Sequence, residues 1–243
     1  MQKGTSINKK EVESLFDSIA GHYDFLNRLL SFGADIYWRR KAIRTVKESL
    51  KTSHILDVAC GTGDLAIEAA KLNPEKITGI DISEKMLETA KKKITRKRLS
   101  HKIELLRGDS ENLPFGNNQF DLVMCAFGVR NFNDRMKSLK EMSRVLRNEG
   151  MVLILEFSKP DRKIFGKIFE VYFFRILPYV GKLISGSPYA YRYLPESVYD
   201  FPSKEEFSGM MKEADFTGVR SVSFTGGIVT IYRGFKMNNN FSE

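Results

Sequence analysis

The 243 residues are 42% hydrophobic and 28% charged, and 39 Lys and Arg against 30 Asp and Glu leave a formal net charge of +9. Such a composition suits one globular domain with one substantial core, and no apolar run reaches the ~18 residues that a membrane-spanning helix needs. Two cysteines, Cys60 and Cys125, and three scattered histidines give neither a disulfide framework nor a metal-ligand pattern, so no metal is expected.

The first ten residues are polar and lack the apolar stretch of a signal peptide, which places the protein in the cytoplasm. From about Asn8 to Leu50 the pattern is helical and is expected to cap the mouth of a ligand site. His54–Ala59 is a short apolar run ending in a glycine-rich turn, hence a buried strand. Leu65–Leu72 has helical spacing, and Lys76–Ile80 is a second strand ending at Asp81. Ser83 is an N-cap residue for a helix with Met86, Leu87 and Ala90 on one face. The lysines and arginines between Lys85 and Arg107 then fall on a solvated helix face and its following loop. Strands follow at Ile103–Leu106 and Phe120–Phe127, a helix at Met136–Leu146, and a strand at Met151–Phe157. Phe207, Met210, Met211 and Ala214 suggest a last helix, and Val219–Phe224 and Ile228–Phe235 flank Thr225-Gly226-Gly227 as a hairpin.

Alternating strands and helices imply a doubly wound, Rossmann-like α/β sheet, mostly parallel with an antiparallel C-terminal edge. The division expected within one domain over 1–243 is a helical cap at 8–50 and a cofactor-binding core at 51–158. An apolar and basic lid insertion follows at 159–202, then a C-terminal helix and strands at 203–236.

The segment Ile55-Leu56-Asp57-Val58-Ala59-Cys60-Gly61-Thr62-Gly63-Asp64 carries the strongest chemical signal. Gly61 and Gly63 let the backbone turn tightly and approach a ligand, and the helix behind them offers free N–H groups. Asp81, at the end of the next strand, can accept hydrogen bonds from the two hydroxyls of an adenosine ribose. The same glycines with Ala66 also satisfy a loose dinucleotide fingerprint, so a nicotinamide cofactor competes. Asp57 and Asp64 put negative charge beside the loop, which disfavours a pyrophosphate and suits the sulfonium and amino group of S-adenosylmethionine. Asp109 and Ser110 after the third strand can bond an adenine amino group. The expected cofactor-binding set is Asp57, Gly61, Thr62, Gly63, Asp81, Ile82, Met86, Asp109, Ser110 and Phe127.

With these residues in place the chain resembles the quinone-biosynthesis C-methyltransferases that act on demethylmenaquinol or on 2-methoxy-6-polyprenyl-1,4-benzoquinol. The resemblance runs from about Phe16 to Lys236. Besides the glycine loop it rests on Phe16-Asp17-Ser18-Ile19-Ala20, Phe127-Gly128-Val129-Arg130-Asn131, Leu155-Glu156-Phe157-Ser158-Lys159-Pro160 and Tyr191-Arg192-Tyr193-Leu194. Cys60 stands where many members have glycine, and Asn148-Glu149-Gly150 replaces a Pro-Gly-Gly turn. The resemblance implies S-adenosylmethionine as cofactor, with contacts at Thr62, Asp81, Asp109 and Ser110. It also implies methylation of a ring carbon of a polyprenyl quinol. A ring carbon becomes nucleophilic when a neighbouring hydroxyl loses its proton, so a positioned base or cation is required. The candidates are Arg130 for the phenolate, Asn131 for orienting an oxygen, Tyr23 and Asp24 for closure, His22 as a base, and Tyr193 from the opposite side. A structural ion pair between Arg130 and Glu156 is the competing role for that arginine.

A polyprenyl acceptor resides in a membrane, and Ile164–Tyr179 is strongly apolar with Lys159, Arg162, Lys163, Lys167, Arg175, Lys182 and Arg192 around it. Basic residues beside an aromatic face suit transient contact with an anionic membrane surface, peripheral on the cytoplasmic side. A lid or a homodimer interface would use the same residues. Nucleic acid is not expected as a partner, because the base-stacking modules of RNA readers are absent.

Overall fold

The computed structural model describes residues 8–47, 52–159 and 188–237. The cap segment forms three helices, α1 (Lys9–Ile19), α2 (Tyr23–Leu30) and α3 (Ala34–Lys47). The alternating core runs β1 (His54–Val58), α4 (Asp64–Ala69), β2 (Lys76–Asp81), α5 (Glu84–Arg96), β3 (Ile103–Arg107), β4 (Phe120–Ala126), α6 (Arg135–Val145) and β5 (Leu146–Phe157). Then come α7 (Pro188–Tyr199), α8 (Lys204–Glu213), β6 (Phe216–Phe224) and β7 (Val229–Lys236). The apolar stretch at 164–179 lies outside the described residues.

Local chemistry sets the helix starts. Asn8 and Glu11 form a reciprocal capping box on α1, and Ser203 and Glu206 do the same on α8. Ser83 accepts the Met86 N–H at 3.2 Å, the cap expected of α5, and Asp134 accepts that of Lys137 at 2.9 Å.

One seven-stranded sheet has the order β3-β2-β1-β4-β5-β7-β6. The first five are parallel, in registers such as Ile55 opposite both Ile77 and Leu122. The antiparallel pairings fall at the C-terminal end, as expected there. Within them β7 is the reversed strand, and β6 closes the edge beside it. Strand β5 begins five residues earlier than the apolar run implies, since Leu146 pairs with Phe120 before the irregular 147–150 segment.

Strand alternation divides the core. Ile55, Leu122, Met124, Leu153 and Leu155 pack with Trp38, Ala42 and Val46 of α3 and with α4 and α5 on one face. Leu56, Val58, Val123, Ile154 and Tyr232 pack with α6 and α8 on the other. Side chains on a strand covered on both faces should all be apolar. The sharpest exceptions are the two carboxylates, Asp57 on β1 and Glu156 on β5, both essentially inaccessible. Burying a carboxylate costs several kcal/mol unless it is paired, so both positions mark a function of charge. They sit near the carboxyl ends of their strands, beside the point where the sheet order reverses between β1 and β4, where doubly wound folds bind ligands.

Candidate active site

Two adjoining cavities open at this end of the sheet. The first, of about 950 Å³ including its mouth, lies over the glycine loop. After β1 the backbone turns through left-handed conformations at Gly61 (φ +53°) and Gly63 (φ +78°), which delivers the chain directly into α4. Gly63 does not line the cavity; its missing side chain leaves room for α5, with Ala90 Cβ at 3.3 Å from where its own Cβ would be. The Gly61 N–H donates to Asp81 at 2.7 Å and the Ser83 N–H donates to its other oxygen at 2.9 Å. Burial pushes the Asp81 carboxyl up, and these N–H groups oppose that push. Each oxygen keeps a lone pair for a ligand hydroxyl.

Asp57 is the most unusual group here. Neither of its oxygens makes a hydrogen bond of ordinary geometry, and burial raises its carboxyl to about 8, offset only partly by the Ala66 N–H and by Arg39. A buried, unpartnered carboxyl in a cavity wall suits a cationic ligand, which would stabilise its ionised form.

At the far end Asp109 accepts Lys9 Nζ at 2.6 Å and the Glu111 N–H at 2.9 Å, while the Ser110 hydroxyl lies 3.0 Å from that of Ser138. Lys9 also pairs with Glu111 at 2.7 Å. Burial works against the Lys9 ammonium, but the two carboxylates hold it above the usual lysine range.

The second cavity, about 740 Å³, is mostly apolar, walled by Leu15, Ile19, Leu26, Trp38, Phe157 and Leu194. Phe16, Tyr23, Arg39 and Phe127 line both cavities and form their common wall. Phe127 holds the left-handed conformation (φ +60°), a cost of ~1–3 kcal/mol for a bulky residue. Its neighbours fix it there: the Phe157 ring centroid is 4.7 Å away and the Arg39 guanidinium stacks at 5.3 Å.

Polar groups enter the second cavity from two sides. Arg130, in the short turn Val129–Asn131 after β4, pairs with Glu156 at 2.8 Å and donates to the Phe127 carbonyl. Its Nε has no hydrogen-bond partner among the described residues. Burial opposes the charge on Arg130, but Glu156 keeps the guanidinium protonated. Tyr193 donates to Asn131 at 2.9 Å. On the other side Arg39 pairs with Asp35 at 2.6 Å, and Asp35 accepts the Ser31 hydroxyl at 3.0 Å. Burial holds the Tyr23 phenol above its usual range, so it stays protonated.

Of the expected cofactor residues, Asp57, Gly61, Thr62, Asp81, Ile82, Met86, Asp109, Ser110 and Phe127 line the first cavity, as does Asn131. Arg130, Tyr193 and Tyr23 line the second. Besides Gly63, two other expected residues line neither cavity. His22 is exposed at the start of α2 and lines neither cavity, because the buried side of that turn is taken by Tyr23 and Leu26. Asp24 also lines neither; its carboxylate is committed to Thr62 at 2.5 Å and Lys93 at 2.5 Å. Arg130 and Glu156 do form the ion pair considered as its competing role, and Arg130 nonetheless faces the second cavity.

Sequence reasoning missed Arg39, Lys9 and Lys93. The i, i+4 spacing of Asp35 and Arg39 was available as a signal. So was the spacing of Met86, Ala90 and Lys93, which puts that lysine on the buried face of α5 rather than the solvated one.

The description of the ubiE/COQ5 methyltransferase family matches residues 4–236. The ubiquinone/menaquinone biosynthesis C-methyltransferase UbiE of Geotalea uraniireducens is 43% identical over 229 residues, covering 93% of this chain and 97% of that protein. The demethylmenaquinone methyltransferase of Staphylococcus aureus is 40% identical over 237 residues, 96% of each chain. Among solved structures, a putative S-adenosyl-L-methionine-dependent methyltransferase from Methanococcus maripaludis superposes with a TM-score of 0.68 at 22% identity, over 98% of this chain and 100% of that one. At that identity the likeness shows a shared fold.

Proposed function

The chain belongs to the ubiE/COQ5 methyltransferase family, and from that premise we propose that it methylates a ring carbon of a polyprenyl hydroquinone, with demethylmenaquinol as acceptor and S-adenosylmethionine as donor. The observation that carries the proposal is the pair of cavities with one common wall, the first rich in carboxylates and the second apolar with cations at its edge.

The residues of the first cavity fit the donor. Asp81 would take the ribose hydroxyls, Asp109 and Ser110 the adenine amino group, and Asp57 would face the cationic end. When bound, S-adenosylmethionine supplies a methyl group made electrophilic by its sulfonium.

The second cavity suits a flat aromatic diol. Its apolar walls exclude water, which strengthens every charge interaction inside. Arg130 and Arg39 place two guanidinium groups where a phenolate can form, and each retains a buried carboxylate partner, so neither charge is left isolated. A phenolate at this position pushes electron density onto the neighbouring ring carbon. Tyr193, held by its hydrogen bond to Asn131, orients an acceptor oxygen, and Tyr23 donates a hydrogen bond from the common wall. Holding donor and acceptor in line is worth ~7–11 kcal/mol in ideal cases, more than any single polar contact here.

The lipid tail keeps such an acceptor in a bilayer. Among the described residues no helix is long and apolar enough to cross a membrane. Peripheral contact through the basic and aromatic 159–192 stretch is the proposed means of access.

The test is to incubate purified protein with methyl-labelled S-adenosylmethionine and reduced demethylmenaquinone in liposomes, followed by mass spectrometry of the lipid. A ring-methylated menaquinol is expected. Cofactor binding without any labelled lipid would overturn the quinol assignment.

A further inference from the structure

Lys93 is only 8% exposed and lines neither cavity, yet its ammonium spends all three donors on groups that belong to two other segments. It lies 2.5 Å from Asp24 on α2, 3.1 Å from the Thr62 hydroxyl in the glycine loop, and against Asp64 at the start of α4. Thr62 in turn donates to the second oxygen of Asp24 at 2.5 Å. Arg28, also on α2, approaches Asp64 at 3.6 Å, so the cluster of two acids is balanced by two cations. Breaking a buried pair by removing one partner is far more damaging than losing a surface ion pair, which makes this junction a strong tether.

What the tether holds follows from the residues beside it. Tyr23, next to Asp24, stands in the wall common to both cavities, and Leu26 and Asn27, within the following turn, line only the second. The ribose and sulfonium sides of the first cavity come from core strands and loops, through Asp57, Gly61 and Asp81. The second depends on the cap helices for much of its lining. We infer that Lys93 is a positioning residue that docks α2 onto the glycine loop and thereby completes the acceptor cavity. The inference rests on assigning the second cavity to the acceptor.

Asp24→Asn tests it with little change of shape, since it leaves Lys93 paired with Asp64. Three quantities are read: the cofactor Kd by calorimetry, kcat and KM for a tail-less demethylnaphthoquinol, and amide hydrogen exchange along α2. Acceptor KM should rise at least about tenfold and α2 exchange should quicken by about the same factor, while cofactor Kd changes by no more than about threefold. Lys93→Met should reproduce that split and Lys93→Arg should restore most of the wild-type KM. Unchanged exchange and KM would overturn the inference. So would a parallel loss of cofactor affinity, acceptor affinity and thermal stability in Asp24→Asn, which marks a general structural defect. Exchange and calorimetry need no acceptor, so a wild-type protein that methylates no quinol would count against the acceptor assignment without deciding whether α2 is docked by Lys93.

Discussion

The two cavities differ in how they are built. The first cavity, proposed for the cofactor, is made largely of backbone and carboxylates delivered by strand ends that are already fixed in the sheet: Asp57 on β1 and Gly61 after it, Asp81 at the end of β2, Asp109 and Ser110 after β3. The second cavity, proposed for the acceptor, is made of side chains from separate places, with Leu15 and Ile19 on α1, Leu26 on α2, Trp38 and Arg39 on α3, Arg130 after β4 and Tyr193 on α7. The first is therefore preorganised by the same hydrogen bonds that form the sheet. Cap residues reach the first as well, Lys9 and Val12 of α1 among them, but the second takes most of its lining from the cap, which is docked by ion pairs such as Lys93 with Asp24 and Lys9 with Asp109 and Glu111. Preorganisation on one side and assembly on the other should make the two sites separable by substitution.

The largest effect should come from Asp81→Ala. It removes the acceptor of both the Gly61 and Ser83 N–H groups as well as the proposed ribose contact, and calorimetry should register a loss of cofactor affinity of at least about a hundredfold. Near-normal binding would break the cofactor half of the comparison. Arg130→Ala comes next: turnover should fall at least about tenfold with cofactor Kd unchanged. The buried Glu156 left without its partner should also lower stability by ~3–5 kcal/mol in denaturant unfolding. Turnover equal to wild type would remove Arg130 from the chemistry and leave it a structural ion pair.

A smaller effect sharpens the role of Asp57. Burial pushes its carboxyl up to about 8 in the folded protein, against ~4 in the unfolded chain. Between those values the folded state holds the extra proton, so stability falls as pH rises, by up to ~1.4 kcal/mol per pH unit. Asp81 shifts in the same direction. Thermal unfolding of the ligand-free protein from mildly acidic to mildly basic pH should show this decline, reduced in Asp57→Asn. A slope identical in the variant would contradict the buried, protonated carboxyl.

The same contrast explains what could be read from the chain. Residues 54–81 reveal the cofactor cavity because strand, glycine turn, helix, strand and terminal acid are contiguous and each has a local physical cause. Alternation and right-handed crossovers indicated a mostly parallel, doubly wound sheet with an antiparallel C-terminal edge, but not its strand order. The acceptor cavity was less accessible. Arg130, Asn131 and Tyr193 were singled out through the resemblance of their motifs, whereas Arg39 carried only its i, i+4 spacing with Asp35, which signals an ion pair and not a place in the wall between two cavities. His22 lies in solvent because one residue of register at the start of a short helix separates it from the half-buried Tyr23. Lys93 was hidden in a run of three lysines whose other two members are exposed.

The most direct test of separable sites fills the second cavity from a position that does not line the first. Leu194, half-buried on α7, lines the second cavity alone. In Leu194→Trp, calorimetry with S-adenosylmethionine and turnover of a tail-less demethylnaphthoquinol should be measured on the same preparation. Wild-type cofactor affinity with turnover reduced at least about tenfold is the expected result. Full turnover, or loss of cofactor affinity in step with turnover, would contradict two cavities with separate occupants.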